Sequence, residues 1–443
     1  MLRKLREALK KDELTKASFQ VEKIYPVDLA EFLVGIPSDK QDDLLEIISD
    51  EKLARIIENL APEVKYKVLI KLDKERLKLI LEYMSTDEIV DLLGNLPVGK
   101  SKELLALLRR EYADLVKSFL GYAEETAGSL MTTEYIALKK NLTVKEAIRT
   151  IRKVSGQQEV IKYIYIVNDA KELVGYALLR EILASQNDLT LDELYYPNVI
   201  STQARVDQED VAMLIAKYDL TAIPVTTDHQ QLIGVITVDD IIDVIEAENT
   251  EDMYKLAGIN KVEKPLGSIL TSMKERVPWL FINLGAAFLA AAVISQFEGI
   301  ISKVVALTSF LPIVASLGGN SGNQALTIMV RNIALNEIDL ETAKDVVIRE
   351  VALGLINGAI LGLVTASIAF IWKGNMTLGM IVGVTTVFNM MVANLLGVLI
   401  PLTLKYLKVD PALASSIFLT TLTDILGFFF LLGLATMLLN YLL

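Results

Sequence analysis

The sequence contains no cysteine and a single histidine, His229. Disulfides, thiolate zinc sites, thiol catalysis and most histidine-based metal or acid–base centres are therefore excluded. It also lacks net positive charge: 56 acidic residues stand against 44 Lys and Arg, a formal net charge of −12. An acidic surface repels nucleic acid and draws cations, so no nucleic-acid partner is expected. No secretory leader is expected either, because Met1–Lys16 is charged and amphipathic and has no apolar centre. Most telling is the absence of charge near the C-terminus. From Pro411 to Leu443 the only formally charged side chain is Asp424. A carboxylate in hydrocarbon is costly, and an intramembrane acid is a functional-site hypothesis by default.

The charge that is present is unevenly placed. From Met273 onward nine acids balance nine Lys and Arg, so the whole net charge of −12 belongs to residues 1–272. A chain of 443 residues implies more than one domain. Here it divides into an acidic, water-facing half and a neutral, apolar one. Five segments of the apolar half reach the ~20 residues that a bilayer crossing requires: Val277–Phe297, Val304–Val330, Val351–Trp372, Met376–Leu404 and Pro411–Leu443. With the N-terminal half cytoplasmic, the inner flanks hold Lys274, Arg276, Arg331, Lys344, Arg349, Lys405 and Lys408, and the outer loops only Lys303 and Lys373. That asymmetry fits the positive-inside rule and puts the C-terminus outside. Five spans offer no simple inverted repeat, so a pore is more easily built between two subunits.

Residues 30–112 repeat with a period of twelve. Leu33, Leu45, Ile57, Leu69, Leu81, Leu93 and Leu105 are all apolar, as are the residues one before and three after each. These spacings share one helix face. Turn and cap residues separate the units: Pro37-Ser38-Asp39, Ser49-Asp50-Glu51, Pro62-Glu63, Asp73, Ser85-Thr86-Asp87 and Pro97. Each unit reads as one short helix that must stack on its neighbours in a superhelix. Its acidic outer face is either a plain solvated surface or a site for cations or a partner.

After Met131 the pattern changes to two copies of a β-α-β module. Tyr163–Val167 and Leu173–Tyr176 flank a turn at Asn168-Asp169, and Arg180–Ala184 opens a helix; Ala222–Thr226 and Leu232–Thr237 repeat the arrangement. These modules resemble a pair of CBS domains. The resemblance implies an adenosine nucleotide such as ATP at the cleft, held in the second copy by Gly234, Thr237 and Asp240, with Ile223-Pro224 against adenine. The first copy departs, with Leu178 and Glu181 in the Thr and Asp positions. CBS pairs also serve as plain dimer scaffolds, and both roles stay open.

Val238–Met253 combines Ile241, Ile242, Val244 and Ile245 with the acids Asp239, Asp240, Asp243, Glu246, Glu248, Glu251 and Asp252, and no Lys or Arg follows until Lys255. Like charges at helical spacing repel, so a helix here calls for cations. Carboxylates are the hard ligands that Mg2+ and Ca2+ prefer. The helix leads through Gly258, Pro265 and Gly267 to the first span, as a charged lever on a pore would.

Within the apolar half, Thr420 and Thr421 lie close to the face of Asp424, and Gly318-Gly319-Asn320 and Gly322-Asn323-Gln324 interrupt the second span. A hydrated divalent cation crossing here calls for few charges and many hydrogen-bond acceptors. Asp424, Thr420, Thr421, Asn323, Thr327, Gly319 and Asn320 are the pore candidates. Asn389 and Asn394 read as inter-helix glue.

Taken together, the motifs Glu125-Thr126-Ala127-Gly128, Leu130-Met131-Thr132-Thr133, Thr237-Val238-Asp239-Asp240, Thr250-Glu251-Asp252-Met253, Gly318-Gly319-Asn320, Gly322-Asn323-Gln324 and Thr420-Thr421-Leu422-Thr423-Asp424 resemble the MgtE-type magnesium channels over nearly the whole chain. The resemblance implies an acidic all-α superhelical domain at 1–127, CBS modules (α+β) at 128–192 and 193–245, a connecting plug helix at 246–272, and an all-α transmembrane domain of five helices at 273–443. It implies a plasma (inner) membrane homodimer with the pore on its two-fold axis, and a channel rather than an enzyme. It further implies that cytosolic Mg2+ holds the channel shut by bridging acids of the N domain, CBS pair and plug, with Asp87, Asp91, Asp239, Asp243, Glu246, Glu248, Glu251 and Asp252 as candidates. Three rival readings are weaker. An aspartyl hydrolase needs two carboxylates, and no second intramembrane acid is evident. A nucleotide sensor without transport leaves Asp424 without a purpose. Transport of Co2+, Mn2+ or Ca2+, or export, changes the ion or direction only.

Overall fold

The computed structural model describes residues 1–443 apart from 12, 155–159, 260–267, 336, 339–341, 414 and 443, with the backbone alone at 62, 63, 160, 161 and 415. Pro265 and Gly267, and with them part of the expected plug segment, lie outside the described residues. The chain forms two compact units, Met1–Ile245 and Glu246–Leu443.

The first unit begins with helices α1 (Leu2–Lys10) and α2 (Leu14–Val21). Helices α3 (Pro26–Val34), α4 (Ser38–Ile47), α5 (Asp50–Glu58), α6 (Pro62–Leu69), α7 (Lys74–Tyr83), α8 (Thr86–Gly94), α9 (Val98–Leu105) and α10 (Arg110–Phe119) follow, each starting twelve residues after the last. The twelve-residue spacing of helix starts therefore extends back to Leu2, two units before α3. Twelve residues accommodate about two and a half helical turns and a short connection. Helices this short are marginal alone, so tertiary packing must hold them. Leu33, Leu45, Ile57, Leu69, Leu81 and Leu93 are all buried, each burial stabilising by about 2 kcal/mol. Proline occupies the first turn of α3 and α6, where a missing N–H costs nothing. Asp73 caps α7 by accepting from the N–H groups of Glu75 and Arg76.

Next come α11 (Ala127–Leu130), β1 (Tyr135–Lys139), α12 (Val144–Val154), β2 (Val160–Val167), β3 (Leu173–Leu178) and α13 (Leu179–Ala184), then β4 (Thr202–Gln203), α14 (Gln208–Tyr218), β5 (Ala222–Thr226) and β6 (Leu232–Thr237). Each module carries a three-stranded sheet with one parallel and one antiparallel pairing, in the orders β1-β2-β3 and β4-β5-β6. The modules are tied by Thr132, which exchanges two backbone hydrogen bonds with Val235 (2.8 and 2.9 Å). They share a core of Tyr165, Ala222, Leu232 and Val235. Helix α15 (Val238–Leu256) starts directly at the end of β6 and runs across the division between the units.

The second unit contains α16 (Ile269–Ser295), α17 (Glu298–Lys303), α18 (Leu311–Ala334), α19 (Ala343–Lys373), α20 (Met376–Tyr406), α21 (Ser415–Met437) and α22 (Leu439–Leu442). Among the described residues four helices, α16, α19, α20 and α21, are long and apolar enough to cross a membrane. Five were expected. The exception, α18, has 24 residues, but Gly318–Gln324 and Arg331 reduce its apolarity. Its Ser321 and Asn323 are matched by α20 and α21 instead, and Gly318, Gly319, Ser321 and Gly322 are buried. It also starts later than the expected Val304, because Pro312 belongs in a first turn and residues Val305–Ser309 form a separate 3-10 turn.

Helices α19 and α20 meet along glycines. A Cβ on Gly358 would lie 2.9 Å from Val387 Cα, and one on Gly362 would lie 2.7 Å from the Gly383 carbonyl oxygen. Small residues at such a seam let backbones approach closely. Gly358→Val is expected to lower thermal stability in detergent by about 1–3 kcal/mol through overpacking, whereas Gly285→Ala, which meets open space, leaves the melting curve in place. Equal melting of both variants would refute this account of the seam.

Candidate ion-binding sites

Two polar regions stand out, one in each unit. In the second, α21 carries Ser416, Thr420 and Asp424 at i, i+4 and i+8, a single face. Asp424 is half-buried and makes no hydrogen bond or ion pair among the described residues. Thr420 is exposed and bonds the Ser416 carbonyl (2.9 Å); the half-buried Thr421 hydroxyl bonds the Ile417 carbonyl (2.7 Å). Ser416 donates to Asn323 Oδ1 of α18 (3.0 Å), which joins the α18 polar segment to the Asp424 face. On α18, Asn320 and Thr327 are exposed, Thr327 donates to the Asn323 carbonyl (2.9 Å), and a Cβ on Gly319 would meet open space. The candidates Asn320, Asn323 and Thr327 thus share one side of the helix, with the buried Gly319 beside them.

Asn389 and Asn394 are glue, as expected. Asn389 Nδ2 donates to the Val314 carbonyl (2.9 Å), and Asn394 Oδ1 accepts from Ser321. The other partner of Asn394 was not foreseen. Its Nδ2 donates to Glu350 Oε2 (3.2 Å), and Glu350 is 7% exposed inside α19. A second buried acid therefore lies in α19, one residue before the expected span Val351–Trp372. Glu350 was hidden by its charged neighbours Asp345 and Arg349, which made the apolar segment start at Val351.

In the first unit, carboxylates gather around α8. Asp87 is pushed well above the usual carboxylate range by burial and then by the charges of Asp240 and Glu88. Its Oδ1 is buried without a hydrogen-bond partner among the described residues. Burial lifts Glu58 to about 7, with Glu88 and Glu134 adding to the shift, even though Glu58 accepts from the Ser85 N–H (2.8 Å). Glu88, Glu134 and Asp240 are also raised, chiefly by burial. One buried cation answers them: Lys65, 4% exposed, pairs with Glu88 and lies 3.9 Å from Asp91. Among the described residues no three acidic or histidine side chains are arranged to hold a metal ion. Of these groups only Asp87, Asp91 and Asp240 were singled out from the sequence. Glu58, Glu88 and Glu134 were missed because α5, α8 and the stretch before β1 meet only in the fold.

The acids of α15 are divided. Asp239, Asp243 and Glu246 are exposed, and Glu248 is half-buried. Glu251 pairs with Lys255 (2.6 Å), which also pairs with Asp410 (2.6 Å) in the connection between α20 and α21. Burial and the charge of Asp410 raise Asp252. Arg331 donates to Asn249 Oδ1 (2.7 Å).

The residues expected around a nucleotide have structural partners. Ile223 is fully buried, and a Cβ on Gly234 would collide with Met131 Sδ at 2.6 Å. The Thr237 hydroxyl donates to Asp240 at the start of α15. Pro224 lies within β5, opposite Val235.

The chain matches known families in three stretches: residues 311–434 match the MgtE divalent cation transporters, 24–125 the MgtE intracellular N domain, and 127–188 and 192–247 the CBS domain. The magnesium transporter MgtE of Bacillus subtilis is 31% identical over 94% of this chain and 92% of its own length. That of Thermus thermophilus is 33% identical over 98% of each. Among solved structures, the cytosolic domain of the Mg2+ channel MgtE in complex with ATP is 32% identical, with a TM-score of 0.53, over 55% of this chain and 100% of that one.

Proposed function

The chain belongs to the MgtE family of magnesium transporters, a multi-pass membrane protein and not an enzyme, and from this we propose that it is a Mg2+ channel for uptake that closes when Mg2+ occupies its acidic regions. The observation that carries the reading is the Asp424 face. A carboxylate in an apolar helix, without an ion pair or hydrogen bond among the described residues, is stabilised by a cation passing it. Thr420, Thr421 and the Asn323 side chain offer oxygen acceptors to the ion's water shell. The space beside Gly319, where a Cβ would meet nothing within 4 Å, leaves room for a hydrated ion. Two copies of this face on a two-fold axis would give two carboxylates, so a homodimer completes the path. The N-terminal domains are cytoplasmic and the C-terminus outside, in keeping with the flanking Lys and Arg.

Closure is the work of the acids. Asp87, Glu88 and Asp240 repel one another when ionised, and Mg2+ relieves the repulsion by bridging them directly or through water. Asp91 and the α15 acids Asp239, Asp243, Glu246, Glu248, Glu251 and Asp252 are proposed as further Mg2+ ligands. ATP is a second proposed ligand, bound by the CBS pair; the likeness to a cytosolic domain crystallised with ATP supports it. The deciding experiment is Mg2+ flux into vesicles holding the reconstituted protein, with Mg2+ on the acidic side varied. Flux above protein-free vesicles that falls as that Mg2+ rises is expected. Flux equal to protein-free vesicles at every Mg2+ level would sink the channel reading.

A further inference from the structure

Glu350 lies in the second unit, is almost fully enclosed, and has no cation for a partner among the described residues. Its carboxylate accepts from Asn394 Nδ2, and Asn394 Oδ1 accepts from the Ser321 hydroxyl. Glu350, Asn394 and Ser321 are all buried, at 7%, 4% and 6% exposure. A chain of hydrogen bonds thus runs from α19 through α20 to α18.

Two geometric facts give the chain a purpose. First, Glu350 continues the glycine seam at helical spacing: Gly354 is one turn on and Gly358 two. The seam fixes α19 against α20, so Glu350 is held by a rigid partner. Second, Ser321 is on the opposite side of α18 from the polar face. At roughly 100° per residue, Asn323 lies about 200° from Ser321 and Asn320 about 100° the other way. The bond at Ser321 therefore sets the rotation of α18. The close approach of Gly397 to the Gly322 carbonyl oxygen, 2.6 Å for an added Cβ, leaves α18 little room to slide.

We propose that Glu350 is a positioning residue for ion passage: through Asn394 and Ser321 it fixes the rotation of α18 and so presents Asn323 and its neighbours beside Asp424. The inference rests on the reading of that face as the ion path. The carboxylate acts as an acceptor that orients the Asn394 amide. Left free, the amide can turn over and offer Ser321 its NH2 group instead of its oxygen.

The test is Mg2+ flux of the full-length protein in vesicles as external Mg2+ is varied, for Ser321→Ala, Glu350→Leu, the two combined, Glu350→Gln and, alongside, Asp424→Asn. Ser321→Ala and Glu350→Leu are each expected to lower maximal flux about tenfold or more, as a misplaced functional group does, and to raise the Mg2+ concentration at half-maximal flux. Mere loss of folded protein would lower the maximum and leave that concentration unchanged. The double variant should be no worse than the poorer single, since both break one chain. Glu350→Gln keeps an acceptor oxygen and should retain near-native flux. Ser321→Ala behaving as wild type, additive losses in the double variant, or a Glu350→Gln variant with low flux would each overturn the proposal. Should Glu350→Leu not fold, Ser321→Ala and Glu350→Gln still decide. Asp424→Asn separates the two levels: wild-type flux there sinks the ion-path reading, whereas impaired flux there with a normal Ser321→Ala sinks the relay alone.

Discussion

Asp424→Asn is expected to cut Mg2+ flux ten- to a hundredfold while leaving the protein folded. Both halves of the expectation follow from the surroundings of the side chain. Asn has nearly the same shape, and Asp424 makes no ion pair or hydrogen bond among the described residues that the change could break. Removing an unpaired acid from an apolar helix relieves a desolvation cost, so melting in detergent should stay level or rise. The flux loss comes from the ion's side. Replacing a charged acceptor with a neutral one forfeits about 1.5–3 kcal/mol of charge-assisted hydrogen bonding to the water shell, a factor of about ten to a hundred. Thr420→Val, which removes a neutral acceptor on the same face, should cost less. Unaltered divalent flux in Asp424→Asn, at equal protein content, would remove Asp424 from the path.

The sequence made much of this legible, and unevenly so. The superhelix could be read because its period repeats at every unit, and the Leu33-type position is buried from Leu33 to Leu93 and partly buried at Leu105. The sheets could be read because Tyr163–Val167 and Ala222–Thr226 are apolar strands bounded by turn residues. Asp424 could be found because nothing charged surrounds it. Glu350 could not, since hydropathy judges a window and the charged residues beside it mask one buried acid. Helix α18 was expected among the spans and is a long helix, but it is not one of the four that are apolar enough, and its polarity is only intelligible once Asn389 and Asn394 are seen bonding to it. Nor could the meeting of Glu58, Asp87, Glu134 and Asp240 be seen, because they come from four stretches that the fold alone assembles.

Under the proposed closure by Mg2+, that assembly makes the response dependent on pH, with a definite sign. Glu58 titrates near 7 in the folded protein, against an ordinary value of 4.5, and Asp87, Glu88, Glu134 and Asp240 are raised as well. A raised carboxylate keeps its proton in the folded state where the unfolded chain has lost it. Its favourable contribution is thus present below about pH 4.5 and is lost as pH rises through about 7. Without Mg2+, the stability of the first unit should fall between about pH 5 and 8. Mg2+ binds the deprotonated form, so its stabilising effect should grow over the same range, and less Mg2+ should suffice to close the channel at pH 8 than at pH 6. Changing Asp87 and Asp240 together to Asn removes two of the mutually repelling groups. Asn at 240 still accepts from Thr237, so the start of α15 stays capped. This double variant should melt higher than wild type in chelator and gain little from Mg2+. Its half-inhibiting Mg2+ concentration should rise about tenfold, the loss of one charge-assisted contact. Closure of the double variant at the wild-type Mg2+ concentration, with the same pH trend, would show that these acids play no part in sensing Mg2+.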